Sequence, residues 1–319
     1  MLPEAKNPVA SQKYEIDFIL CTRNRAKNIF DLLGSINNLV GSESAEVTIV
    51  DSSDDPIQLD PNDFPKIGKI NLVHTTPGLP SQRNIGLLST VNAIIIFLDD
   101  DVLLESNFIT ATVHQFESNL ALAGIGYLLK GVDFVPKKIS KRFSLSVNVE
   151  QYGQVTRSGK NYWYPEKGEY SNFKPPMWLP GCAMAFRRAK LEGVRFNSVL
   201  ERGILGGYAL GEDVDFTLRL QKIGKSFGLC LDTMVNHYEA PGERDNSLQL
   251  ARAEGHWLKY LAKSHRTHVF KLWVFIRLFT EFIYLLVVVF IFRGSSIARV
   301  CSGERLLNFL RAGPYSKLN

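Results

Sequence analysis

Cysteine is scarce and scattered in this chain. Its 319 residues include four cysteines, Cys21, Cys182, Cys230 and Cys301, far apart and with no CxxC among them. Such a pattern excludes a disulfide framework and offers no zinc spacing, so reduced thiols in a cytoplasmic setting are expected. No internal repeat or low-complexity tract is present. The first residues, MLPEAKNPVASQKYE, are polar and proline-bearing and lack the basic and apolar regions of a secretory signal. Long apolar runs are missing as well. The uninterrupted apolar stretch Phe282 to Phe292 has 11 residues, too short to cross a bilayer alone.

What is present is ordinary globular composition, 45% apolar and 22% charged, on a chain long enough for one large α/β domain plus an appendage. The net charge of +5 is unevenly placed. From Leu250 onward there are 11 Lys/Arg against 3 Asp/Glu, while the preceding residues carry 26 against 29. A basic, aromatic and apolar tail points to an anionic membrane surface rather than to nucleic acid.

Short apolar runs punctuate the first hundred residues: Ile16–Cys21, Glu46–Val50, Ile70–His74 and Ala93–Leu98. Helical spacing separates them, with Ile29, Leu32, Leu33, Ile36 and Leu39 on one face. Strands alternating with helices predict a mostly parallel sheet covered on both faces. In such sheets ligands lie beyond the carboxyl ends of the strands. Three strands here end in polar clusters: Thr22–Arg25, Asp51–Asp55 and Asp99–Asp101. The first strand is followed by CTRNRAKN and not by GxGxxG, which disfavours a nicotinamide enzyme. The same loop lacks the glycines that a nucleotidyltransferase needs to cradle a triphosphate. Glu212–Ile223 predicts a helix between Gly211 and Gly224, and Phe227–Leu231 a last short strand before His237.

Three adjacent carboxylates repel one another unless a cation neutralises them, and oxygen ligands suit Mg²⁺ or Mn²⁺. In an extended segment Asp99 and Asp101 face one side and Asp100 the other. Arg83, within GLPSQRNIG, offers a planar fork for a phosphate or a base edge. Glu212 and Asp213 open a helix, where a carboxylate can also serve as a general base. His237 follows a strand and is a plausible extra metal ligand.

Taken in order, these pieces resemble the family 2 inverting glycosyltransferases of GT-A fold over roughly residues 15 to 245. The resemblance implies a nucleotide-diphospho-sugar transferase with a C-terminal helical tail. It implies nucleotide contacts at Thr22, Asp51 and Arg83 with Arg25 nearby, and a DxD element at Asp99–Asp101 holding ribose (Asp99, Asp100) and metal (Asp99, Asp101). It further implies Asp213 as catalytic base, Glu212 in acceptor placement, His237 as an additional ligand to Mn²⁺ or Mg²⁺, and Trp178 and Gly181 of WLPGCAMAFRR on the acceptor side. Asp51 is followed by Ser52-Ser53 where the family often has a second acidic residue, which leaves the base open between UDP- and dTDP-linked donors.

The expected organisation is a catalytic domain over 1–245 and a basic, apolar helical region over 246–319. The expected acceptor is a glycan or a lipid-linked hydroxyl in cell-surface polysaccharide or glycolipid synthesis, at the cytoplasmic face of the membrane. The rival is a non-catalytic sugar-nucleotide-binding subunit of a membrane glycan assembly complex. Within Val269–Phe292, Lys271, Arg277 and Glu281 interrupt the apolar residues, with Arg277 and Glu281 one helical turn apart. Three placements follow: an interfacial or re-entrant helix flanked by Arg266, Lys271, Arg293 and Arg299, a true span, or a buried helix in the core or in a homo-oligomer.

Overall fold

The computed structural model describes residues 15–131, 149–201, 210–238, 247–292 and 296–310. Its centre is an eight-stranded sheet: β1 (Ile16–Thr22), β2 (Ala45–Asp51), β3 (Lys69–His74), β4 (Ile94–Asp99), β5 (Val102–Leu104), β6 (Leu122–Lys130), β7 (Ala183–Arg187) and β8 (Ser226–His237), in the order β3-β2-β1-β4-β7-β6-β8-β5. Every residue of β1 is buried, as expected of a central strand covered on both faces. Helix α1 (Ala26–Asn37) buries Ile29, Leu32, Leu33 and Ile36. Helices α2 (Leu79–Leu88) and α3 (Phe108–Ser118) complete the first half of the chain.

The parallel expectation holds for the block β3-β2-β1-β4. Beyond it the sheet is mixed: β7 runs antiparallel to both β4 and β6, β6 and β8 are parallel, and β5 is antiparallel to β8. This difference positions the site. Thr22 pairs with Asp51 and Cys21 with Asp99, so β1, β2 and β4 end at one edge of the sheet. Because β7 enters antiparallel beside β4, the backbone just before it reaches that edge, where Asp99 N–H donates to the Cys182 carbonyl at 3.1 Å. The last strand is longer than Phe227–Leu231, and its final residue, His237, pairs with Val102. That register sets His237 beside Asp101.

Helix α4 (Glu212–Lys222) starts after Gly211, whose φ of 74° is left-handed. Acidic Glu212, Asp213 and Asp215 sit in its first turn and basic Arg219 and Lys222 in its last, each complementing the helix dipole.

The C-terminal region forms α5 (Ser247–Ser264), α6 (Lys271–Phe292) and α7 (Ser296–Leu310). Trp257, Leu261, Val274, Leu278 and Phe309 belong to the same core cluster as the sheet residues. Arg277 and Glu281 pair at 3.6 Å as their spacing suggests. Among the described residues no helix is long and apolar enough to cross a membrane. Of the irregular stretch before Trp178, the described part packs Trp163, Tyr164 and Phe173 together. Arg293 and the side chain of Arg299 lie outside the described residues.

Candidate active site

The carboxyl edge of the sheet gathers the acidic triplet with His237. Asp99 ends β4, Asp100 and Asp101 make the turn, and Val102 opens β5. Asp99, Asp101 and His237 each offer a ligand atom, and these atoms all lie within 4.8 Å of one another. His237 Nε2 lies 3.2 Å from Asp101 Oδ1, and both residues are buried. Burial alone would raise the Asp101 carboxyl, but His237 and Arg25 outweigh it and hold it below the usual value. Two carboxylates and an imidazole fit a hard or borderline divalent cation such as Mn²⁺ or Mg²⁺.

Asp100, in the same turn, shares Arg25 with Asp101, whose Oδ2 lies 3.7 Å from Arg25 Nη1. It accepts hydrogen bonds from Thr22 Oγ1 at 2.6 Å and from Arg25 Nη1 at 3.0 Å. Burial pushes its carboxyl up to about 6 against the lowering effect of those partners. Thr22, Arg25 and Asp100 therefore form one wall. Gln82, which sequence reasoning missed, pins this wall from below: its buried amide donates to the Thr22 and Val50 carbonyls at 3.0 and 2.8 Å, joining the ends of β1 and β2. Asp51 is fully buried and turned into its own loop, accepting from Ser53 N and Ile57 N at 2.9 Å each.

Arg83 is 2% exposed, and both terminal nitrogens are engaged by the protein. Nη1 donates to Glu212 at 2.7 Å, and Nη2 donates to Asp99 and to the Gly181 carbonyl at 3.0 Å each. Burial opposes its charge, yet Glu212 and Asp99 together hold its pKa above the ordinary value. Arg83 thus links the acidic turn to the start of α4. Gly181 is the second link, because its N–H donates to Asp213 Oδ2 at 2.8 Å while its carbonyl accepts from Arg83. A Cβ at Gly181 would meet Arg83 Nη2 at 2.8 Å, so only glycine lets the guanidinium sit there. The other Asp213 oxygen accepts from Val214 N at 2.8 Å. Burial and the neighbouring Glu212 push Asp213 up to about 7, while Arg83 and the two backbone donors pull the other way. A carboxylate poised there suits proton abstraction.

Trp178 is 2% exposed and packs against Trp163 at 5.4 Å, and among the described residues its indole N–H has no hydrogen-bond partner. Its ring offers no open stacking face in this arrangement.

A buried network behind α4 also went unread in the sequence. Asp215 accepts from Arg219 Nε at 2.8 Å and from Tyr260 Oη at 2.9 Å, and lies 2.9 Å from His265 Nε2. Trp257 stacks over Gly211, where an added Cβ would fall 2.3 Å from its ring. Tyr260, His265 and Trp257 all come from the C-terminal helical region, more than 40 residues from their partners, a separation that no local pattern reveals.

Residues 17–194, more than half of the chain, match the family model described as glycosyl transferase family 2. The chain belongs to that family. It is a glycosyltransferase, and its sheet and helices take the GT-A arrangement of its structural neighbours. S. aureus TarS 1-349 superposes with a TM-score of 0.53 at 16% identity, covering 94% of this chain and 81% of that one. The mannosyltransferase PcManGT from Pyrobaculum calidifontis, in complex with GDP-Man and Mn²⁺, gives 0.51 at 18% identity, over 80% and 65%. GalNAc-T7 with UDP, GalNAc and Mn²⁺ gives 0.52 at 13%, over 77% and 49%. The chain spans 39% of the longer TarS chain. At these identities the likeness is one of fold. No curated protein sequence matches the chain. The family match ends before Glu212 and His237, whose place in the site rests on the geometry above.

Proposed function

We propose that this glycosyltransferase moves a sugar from a UDP- or dTDP-linked donor to a hydroxyl of a glycan or lipid-linked acceptor, with inversion and with Mn²⁺ or Mg²⁺. The setting is cell-surface polysaccharide or glycolipid synthesis at the cytoplasmic membrane face. The observation that carries this reading is the linkage of an Asp99, Asp101 and His237 ligand group to Asp213 through Arg83 and Gly181. Structural relatives with GDP-Man and Mn²⁺, and with UDP, GalNAc and Mn²⁺, support a nucleotide-sugar donor and the cation without choosing the base.

The roles in this reading are as follows. The wall of Thr22, Arg25 and Asp100 receives the nucleoside, with Asp51 shaping the neighbouring loop. Asp99, Asp101 and His237 would hold a divalent cation, whose charge would offset that of the departing diphosphate. Asp213 takes the acceptor proton as the hydroxyl attacks the anomeric carbon from the face opposite the leaving group, so one displacement inverts that centre. Glu212 holds Arg83 in place and sets the electrostatics around Asp213. Trp178 and Gly181 mark the acceptor side, Gly181 by fixing Asp213. Residues 1–245 supply this chemistry, and the helices of 246–319 support it.

The test is turnover of a nucleotide-sugar panel with Mn²⁺, with Mg²⁺ and with chelator. Cation-dependent release of nucleoside diphosphate, abolished in His237→Ala, is the expected result. Tight donor binding without turnover under any condition would instead support the non-catalytic subunit reading.

A further inference from the structure

Helix α6 is oriented with its polarity reversed. Beyond Lys271 at its start, its charges turn toward the protein: Arg277 donates to the Ser158 carbonyl at 2.8 Å, and Glu281 lies 3.6 Å from Arg277, 3.9 Å from Lys160 and 3.8 Å from Arg305. Its apolar side chains turn to solvent. Leu272, Ile276, Phe279, Ile283 and Leu286 recur every three or four residues, and all five are exposed, as is Trp273. That spacing confines the five to a single face of the helix, opposite the buried Val274 and Leu278. A helix at a protein–water boundary places its residues the other way round, so this face is built for an apolar medium.

The charge beside the stripe identifies the medium. Lys263, Arg266 and Lys271 are exposed around the start of α6, next to Trp273. From Ser264 to Leu286 the only acidic residue is Glu281, which is engaged inside the protein. A second copy of the chain would bring no counter-charge on this face to meet those cations. A bilayer with anionic headgroups supplies both the apolar layer and the negative rim. Tryptophan at the junction suits the boundary between headgroup and acyl chain.

We propose that the Leu272–Leu286 face of α6 lies in the interface of an anionic bilayer, with Lys263, Arg266 and Lys271 on lipid phosphates. This deepens the membrane part of the proposed function. Lipid binding is measured without turnover, so its failure and that of the transferase reading are told apart.

The experiment is co-sedimentation of the full-length protein with phosphatidylcholine vesicles, with and without a third of phosphatidylglycerol. Binding to the anionic vesicles alone is expected, with a blue shift of Trp273 emission and weakening by salt. Ile276→Ser with Phe279→Ser should weaken binding about tenfold or more. Arg266→Glu with Lys271→Glu should abolish the preference for anionic lipid. All four sites are exposed, so both variants should keep the wild-type circular dichroism, and Trp273 emission reads the wild-type chain independently of either. Absence of wild-type binding would overturn the proposal. So would binding indifferent to both variants, or a wild-type dimer in light scattering that the Ile276→Ser and Phe279→Ser pair dissociates, since a second copy would then cover the face.

Discussion

In the proposed mechanism Asp213 carries the chemical burden at the scale of single residues. A base acts only when deprotonated, and burial with Glu212 pushes this carboxyl up to about 7. The rate should therefore rise with pH through about 7 and level off above it, in a kcat profile at saturating donor and acceptor. Glu212→Gln removes the neighbouring negative charge, which favours the ionised form of Asp213, so the acid limb should move to lower pH. A limb that stays in place would assign the titration to another group. Asp213→Asn should lower turnover by roughly 10²–10⁴-fold while donor affinity, measured calorimetrically, is retained. Gly181→Ala forces a methyl against Arg83, and overpacking of this kind costs about 1–3 kcal/mol. Its signature should be lost turnover with a modest fall in melting temperature. The acidic triplet and His237 were legible in the sequence because each stands at the end of a strand, and the Glu212–Asp213 pair because it opens a helix after Gly211. The side-chain directions were not. Sequence reasoning offers Arg83 and Trp178 to ligands, whereas in the structure one closes on Glu212, Asp99 and Gly181 and the other on Trp163.

Helix α4 shows what elements add. Its position follows from the Gly211 turn and its dipole-matched ends, both readable in the sequence, but its anchoring comes from a distant part of the chain. Asp215 is fully buried, and its carboxyl lies below the usual value because His265 and Arg219 outweigh the cost of burial. A depressed folded-state value stabilises the protein above the unfolded pKa of about 3.9, and that contribution is lost as pH falls through the folded value. Asp215→Asn should therefore cost about 3 kcal/mol near neutrality, since it removes the acceptor for buried partners. The gap from wild type in thermal melts should close in strong acid. Tyr260→Phe, which removes a hydroxyl that donates to Asp215 and accepts from Asn197, should cost about 1.5–3 kcal/mol. A lower kcat with unchanged donor KM in the Tyr260 variant would show that the network also holds Asp213 in register. The sheet divides in the same way. Apolar runs followed by polar turns announced β1 to β4, while antiparallel β7 escaped because direction is set by where the chain returns and not by the composition of the strand.

For the molecule as a whole, the C-terminal helices are part of the catalytic fold as well as its proposed membrane face. Trp257 covers Gly211, Tyr260 and His265 hold Asp215, and Leu261, Val274, Leu278 and Phe309 join the common core. Burying each large apolar side chain is worth about 1.5–3 kcal/mol, and a domain's net stability is about 5–15 kcal/mol. Removing several such contacts together therefore exceeds the stability available. A chain ended after residue 245 should be insoluble, or soluble without a cooperative melt, and should lack turnover even on a soluble acceptor. The full-length Ile276→Ser with Phe279→Ser protein should melt like wild type and turn over that same acceptor, because it alters only the exposed face. A cooperative melt and near-normal turnover from the shortened chain would make the C-terminal helices a mere appendage. On the expected outcome, anchoring and catalysis share one scaffold, and only surface substitutions on α6 can separate them.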